Sequence, residues 1–157
     1  MQPCSSHLRS KSIKSLIPLA FFVIIFGQKS FAELEVKNAW IRTAPPNSEK
    51  FSGYLKLKNT SSDEIIINNL KSNAFEKIEI HSSSIENGIS LMKKIDGLKV
   101  PIHSEFNLEP GNYHLMLMKP KKAINEGHLV ELIIYYEIKD GIKILRSDAM
   151  VLRNGYE

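Results

Sequence analysis

The sequence predicts an all-β domain, a β-sandwich of eight or nine short strands, on three observations. Side chains alternate with period two through one run after another. Turn-forming Gly, Pro, Asn and Asp separate the runs at regular intervals. No segment repeats apolar residues at the helical period, and "PKKAINEG" (120–127) has room for one turn at most. A closed barrel is the alternative arrangement of the same strands.

The elements follow in order. "LEVKNAWIR" (34–42) reads as a first strand with Trp40 as a core anchor, and the Pro-rich "TAPPNSEK" as a loop. "FSGYLKLKN" (51–59) alternates, with Tyr54, Lys56 and Lys58 on a polar side and Leu55 and Leu57 on the other. After the turn "TSSDE" come "IIINNLKS" (65–72) and "KIEIHSS" (77–83). The tight turn "ENG" leads into "ISLMKKI" (89–95). "VPIHSEFNLEPG" (100–111) reads as an edge segment closed by Pro110-Gly111. "YHLMLMK" (113–119) is the next strand, and "HLVELIIYYEI" and "IKILRSDAMVL" form a terminal hairpin around Asp140-Gly141.

This domain is preceded by a targeting segment. Arg9, Lys11 and Lys14 stand before the apolar run Leu16–Phe26, and Ser30 and Ala32 occupy the small positions of an A-x-A-like cleavage site. The run is shorter than the roughly 20 residues of a membrane span. Residues 1–32 are therefore read as a cleaved signal peptide and 33–157 as the exported domain, with no membrane span after processing. Arg9, Lys11, Lys14 and Lys29 all precede Glu33, so of the 21 basic residues 17 remain, against 17 acidic ones. The basic balance belongs to the leader, and nucleic acid is not an expected partner. The single cysteine, Cys4, also lies in the leader. The domain beyond it has no disulfide framework, cysteine nucleophile, zinc-thiolate site or blue-copper site.

The chemistry is concentrated in "NYHLMLMKP" (112–120). On a strand His114, Met116 and Met118 share one face, and Leu115 and Leu117 share the other. His81 ends one predicted strand and Met92 lies in the next, so a hairpin brings them together. Two imidazoles and two thioethers form a neutral, soft-to-borderline ligand set that selects Cu(I) over hard cations. Taken singly, His114 reads as a hydrogen-bonded structural histidine and each methionine as core packing; the joint pattern favours a metal. Met118 is read as packing beside the site, His103 and His128 as surface, and Met150 as core. Lys93, Lys94, Lys119, Lys121 and Lys122 form a charged rim that could steer an acidic partner.

The spacing of His81, Met92, His114 and Met116 is H-x10-M-x21-H-x-M. With "AWIRTAPP", "SGYLKLKN" and "EPGNYHLMLM" around it, the chain after the leader resembles the periplasmic copper A chaperone (PCuAC) family. Many members carry Met directly after the first His, where this chain has Ser82. The resemblance implies a cupredoxin-like, Greek-key β-sandwich with a Cu(I) site near solvent. It also implies a periplasmic copper chaperone. Such a protein delivers copper to the copper A subunit of cytochrome c oxidase, directly or with a Sco-type thiol protein. A monomer is expected. Enzymatic activity is not, because no Ser-His-Asp or paired-carboxylate arrangement stands out. Copper buffering or resistance in the same compartment, or a metal-free β-sandwich used as an interaction module, are the alternatives.

Overall fold

The computed structural model describes residues 33–155. The predicted leader, residues 1–32, lies outside the described residues. Ten strands follow one another: β1 Leu34–Arg42, β2 Lys50–Asn59, β3 Ile65–Lys71, β4 Phe75–Glu86, β5 Ile89–Ile95, β6 Leu98–Val100, β7 Glu105–Leu108, β8 Tyr113–Pro120, β9 Leu129–Ile138 and β10 Gly141–Leu152. Among the described residues there is no helix.

Strand order is β5-β4-β8-β2-β1-β10-β9-β3-β6. β1 runs parallel to β10, and the other pairings are antiparallel. β2 is shared lengthwise: Lys50–Gly53 pair with β8, and Leu55–Lys58 with β7. A further pairing of Leu70 in β3 with Ile78 in β4 joins the two ends of the path. The all-β sandwich expected from the sequence is thus present, closed along one short seam in the manner of a flattened barrel.

The core lies between the layer of β4, β8, β2 and β1 and the layer of β10, β9 and β3. Ile78, Ile80, Leu115, Leu117, Leu55 and Leu57 meet Ile65, Ile67, Leu132, Ile134 and Val151, all buried. Phe51 and Phe75 meet edge to face at 5.4 Å. Gly53 stands opposite Leu115, and a Cβ there would come within 2.9 Å of Leu117 Cδ1, so the missing side chain lets the two leucines fill the core. Fully burying a leucine contributes about 1.5–3 kcal/mol. The alternation of β8 is therefore anchored by its aliphatic face, and a one-residue slip would bury its polar set instead.

Three expectations are corrected. Tyr54 is not on a solvated face: Trp40 stands directly opposite it, their rings 4.6 Å apart, and both are buried. Trp40 itself is buried as expected, against Tyr54 and under the Arg42 guanidinium, 5.8 Å from the ring. Met150, opposite Trp40, was expected in the core but is half-buried and lies outside the main core cluster. Of the segment read as one edge element, Val100 ends β6, which pairs with β3, and Glu105–Leu108 form β7, which pairs with β2.

Candidate metal centre

β4 and β8 lie side by side in antiparallel register, with His81 opposite His114, Ile80 opposite Leu115 and Glu79 opposite Met116. The pleat sends Ile78, Ile80, Leu115 and Leu117 into the core and leaves Glu79, His81, His114, Met116 and Met118 on the outer face. β5 then pairs with β4, placing Lys94 opposite His81 and Met92 opposite Ser83. The β4–β5 connection is Asn87-Gly88, both at positive φ (52° and 78°), the backbone that a two-residue hairpin requires. That turn fixes the register that puts Met92 on the histidine face.

His81 is the hub of the set. His114 faces it directly, while Met92 on one neighbouring strand and Met116 on the other are its diagonal neighbours. Diagonal positions lie roughly 7–8 Å apart, within reach of long side chains. The imidazole centroids of His81 and His114 are 5.8 Å apart. Met92 and Met116 stand on opposite sides of the histidine row. Exposure is graded across the set: His114 is 4 % exposed, Met116 is half-buried, and Met92 is 59 % exposed on the β5 edge. A cavity of about 220 Å³ opens beside the row, lined by His114, Met92, Tyr54, Ser83, Ser52 and Ile85. His81 and Met116 are not part of its lining.

The hydrogen bonds of the two rings are complementary. His81 Nε2 is 2.9 Å from Glu79 Oε2, and its Nδ1 is buried with no hydrogen-bond partner among the described residues. His114 Nδ1 is 3.3 Å from the carbonyl oxygen of Asn112 and 3.5 Å from Ser83 Oγ, and its Nε2 is the buried nitrogen without a partner. Leaving a buried polar atom unmatched costs about 1–3 kcal/mol, so two such atoms on facing rings mark a place where a ligand is wanted. A metal ion within reach of both would satisfy the two lone pairs together. Among the described residues no three of His, Cys, Asp and Glu come together as a metal cluster. An ion held by these rings would thus take its further protein ligands from the neighbouring thioethers.

Glu79 is the residue that sequence reasoning missed. Its Oε1 accepts a hydrogen bond from Lys77 Nζ at 2.7 Å and its Oε2 one from His81. These two donors, Lys77 first, hold its carboxyl well below the usual range, at about 2. The signal was present, because a residue two before His81 on a strand must share its face. Of the rim lysines, Lys94 is paired with Asp96 at 2.7 Å and Lys119 with Glu76 at 3.3 Å. Met118 sits opposite Lys77 and Lys50, one row beyond Met116 and away from the histidines. His103 and His128 are exposed. A larger cleft of about 460 Å³ opens between β3 and β4, and no histidine or methionine lines it.

The family model described as LpqE-like ("Putative lipoprotein LpqE-like") matches residues 34–143. The chain is similar to "Putative lipoprotein Lxx21020" of Leifsonia xyli subsp. xyli (strain CTCB07), with 27% identity over 104 residues, 66% of this chain. It spans only 61% of that relative's length. Among solved structures, the copper-bound PCuAC domain from PmoF2 superposes with a TM-score of 0.64 at 20% identity, covering 77% of this chain and 93% of that one. The Cu(I) form of DR1885 from Deinococcus radiodurans gives 0.60 at 22% identity, covering 82% and 84%. At these identities the likeness is one of fold.

Proposed function

The chain belongs to the LpqE-like family, and we propose that it is an exported Cu(I) carrier that holds one ion between His81, Met92, His114 and Met116. The observation that carries the reading is the pair of buried, unpartnered nitrogens, His81 Nδ1 and His114 Nε2, on facing rings. Each ring is already tethered at its other nitrogen, which is how metal-ligating histidines are held. Thioethers beside them make the set soft and uncharged, suited to Cu(I) rather than to zinc or a hard cation. The fold shared with the copper-bound PmoF2 domain supports the same reading.

The graded exposure suits a carrier more than an enzyme. Met92, on the open β5 edge, is the ligand that an incoming acceptor reaches first. A thiolate outcompetes a thioether for Cu(I), so a thiol-bearing acceptor would draw the ion off along that side. The acceptor in this proposal is the copper A subunit of cytochrome c oxidase, directly or through a Sco-type thiol protein. The working form is residues 33–157 in the periplasm after loss of the leader, acting as a monomer.

The test is an anaerobic Cu(I) titration of the exported protein against a chromophoric competitor, with each of the four residues changed to Ala in turn. One tightly held ion, weakened by every one of the four changes, is the expected result. No competition for Cu(I), or competition indifferent to all four changes, overturns the proposal.

A further inference from the structure

The two histidines are tethered in opposite senses. Glu79 Oε2 lies 2.9 Å from His81 Nε2, and its other oxygen is taken by Lys77 at 2.7 Å. A carboxylate accepts hydrogen bonds and donates none, so the neutral imidazole must carry its proton on Nε2 and its lone pair on Nδ1. His114 meets a carbonyl oxygen, that of Asn112, through Nδ1 at 3.3 Å. A carbonyl too can only accept, so His114 carries its proton on Nδ1 and its lone pair on Nε2. The nitrogens left with lone pairs are the two that have no partner.

From this geometry we propose that Glu79 is a positioning residue for the metal site. Its carboxylate locks His81 in the Nε2–H form, so that His81 binds through Nδ1 while His114 binds through Nε2. The inference rests on the copper reading and extends it to a residue outside the four ligands. A carboxylate behind a ligand imidazole fixes the ring and strengthens it as a donor. Glu79 is well placed for both tasks. It shares the outer face with His81 two residues away and stands opposite Met116. The Lys77 ion pair holds the carboxylate from its far side. The asymmetry also has a chemical use. The ring tethered by a charged group is the stronger donor, whereas His114, tethered by a neutral carbonyl, is the weaker one. An acceptor attacking the site would displace the thioethers first, then His114, with His81 letting go last.

Two measurements test this. In the metal-free exported protein at about pH 8, well above the ordinary imidazole range, long-range proton–nitrogen NMR should show His81 protonated at Nε2 and His114 at Nδ1. Glu79→Ala should convert His81 to a mixture of the two forms without changing His114. Cu(I) competition should then give an affinity about 10–100-fold weaker for Glu79→Ala. Glu79→Gln keeps the shape and an acceptor oxygen; it should retain the Nε2–H form yet still bind more weakly than wild type. Glu76→Gln, which breaks the Glu76–Lys119 pair between β4 and β8 on the same part of the sheet, should leave both spectrum and affinity unchanged. The proposal is overturned if wild-type His81 carries its proton on Nδ1, or if Glu79→Ala binds Cu(I) as tightly as wild type. That second outcome leaves the copper reading standing, whereas a wild-type protein that does not compete for Cu(I) at all overturns that reading and with it any role of Glu79 toward the ion.

Discussion

Replacing His114 by Leu should make the metal-free protein more stable while removing its ability to hold copper. The magnitude follows from the hydrogen bonds. His114 is 4 % exposed, and its Nε2 has no partner among the described residues. Relieving one buried, unmatched polar atom returns about 1–3 kcal/mol, and losing the neutral bond to Asn112, with the long 3.5 Å contact to Ser83 Oγ beside it, costs about 0.5–1.5 kcal/mol. The Asn112 oxygen is not orphaned, because the backbone N–H of Ser83 also donates to it at 3.1 Å. Leucine is close to histidine in size and lies beside a cavity of about 220 Å³ that accommodates the difference in shape. The balance is a stabilisation of about 1 kcal/mol, or about 3–5 °C in Tm for a domain of this size. Urea unfolding of both metal-free proteins reads it directly. Repeated with Cu(I) at a thousandfold excess over the dissociation constant, wild type should gain about 4 kcal/mol and the variant far less. A metal-free variant less stable than wild type by more than about 1 kcal/mol would refute the reasoning, because it would mean that Nε2 is already satisfied within the folded protein.

Other perturbations separate structure from site. Asn59 is fully buried; its side-chain nitrogen donates to the carbonyls of Asp63, Val100 and Pro101 at 2.8–3.1 Å, and its oxygen accepts from Ser61. Asn59→Ala should cost about 2–4 kcal/mol, at about 1–3 kcal/mol for each group left unmatched, and equilibrium unfolding of the metal-free protein should show it with no loss of site chemistry in what remains folded. Met92→Leu should leave stability within about 0.5 kcal/mol, as for most exposed positions, yet weaken Cu(I) binding in the competition assay. Glu79 has a folded pKa of about 2 against 4.5 for the free group, so its contribution is present above about pH 4.5 and is lost as pH falls toward 2. The stability advantage of metal-free wild type over Glu79→Gln should therefore shrink as pH falls from about 4.5 toward 2, as acid-unfolding curves would show.

Much of this was legible in the chain because strand alternation is a local signal. The β8 face with His114 and Met116, the β5 strand carrying Met92, and the aliphatic face of Leu115 and Leu117 all follow from period two and turn chemistry. Adjacency between distant strands was not legible. His81–Met92 and His114–Met116 each read as a local pair, but the β4–β8 pairing that sets His81 opposite His114 depends on long-range packing. Tyr54 was misread for a related reason. Its alternation with Lys56 and Lys58 marks it as outward, yet Trp40, brought alongside by β1, covers it. The β5 edge could not be ranked for exposure either, since that depends on which strand ends the sheet.

The most direct measurement is X-ray absorption at the copper edge of the Cu(I)-loaded exported protein, for wild type and for Met92→Ala with Met116→Ala together. The account predicts one ion with mixed nitrogen and sulfur scattering in wild type, and loss of the sulfur contribution in the double variant. A wild-type ion surrounded by nitrogen and oxygen alone, or sulfur scattering that survives the loss of both methionines, would contradict it.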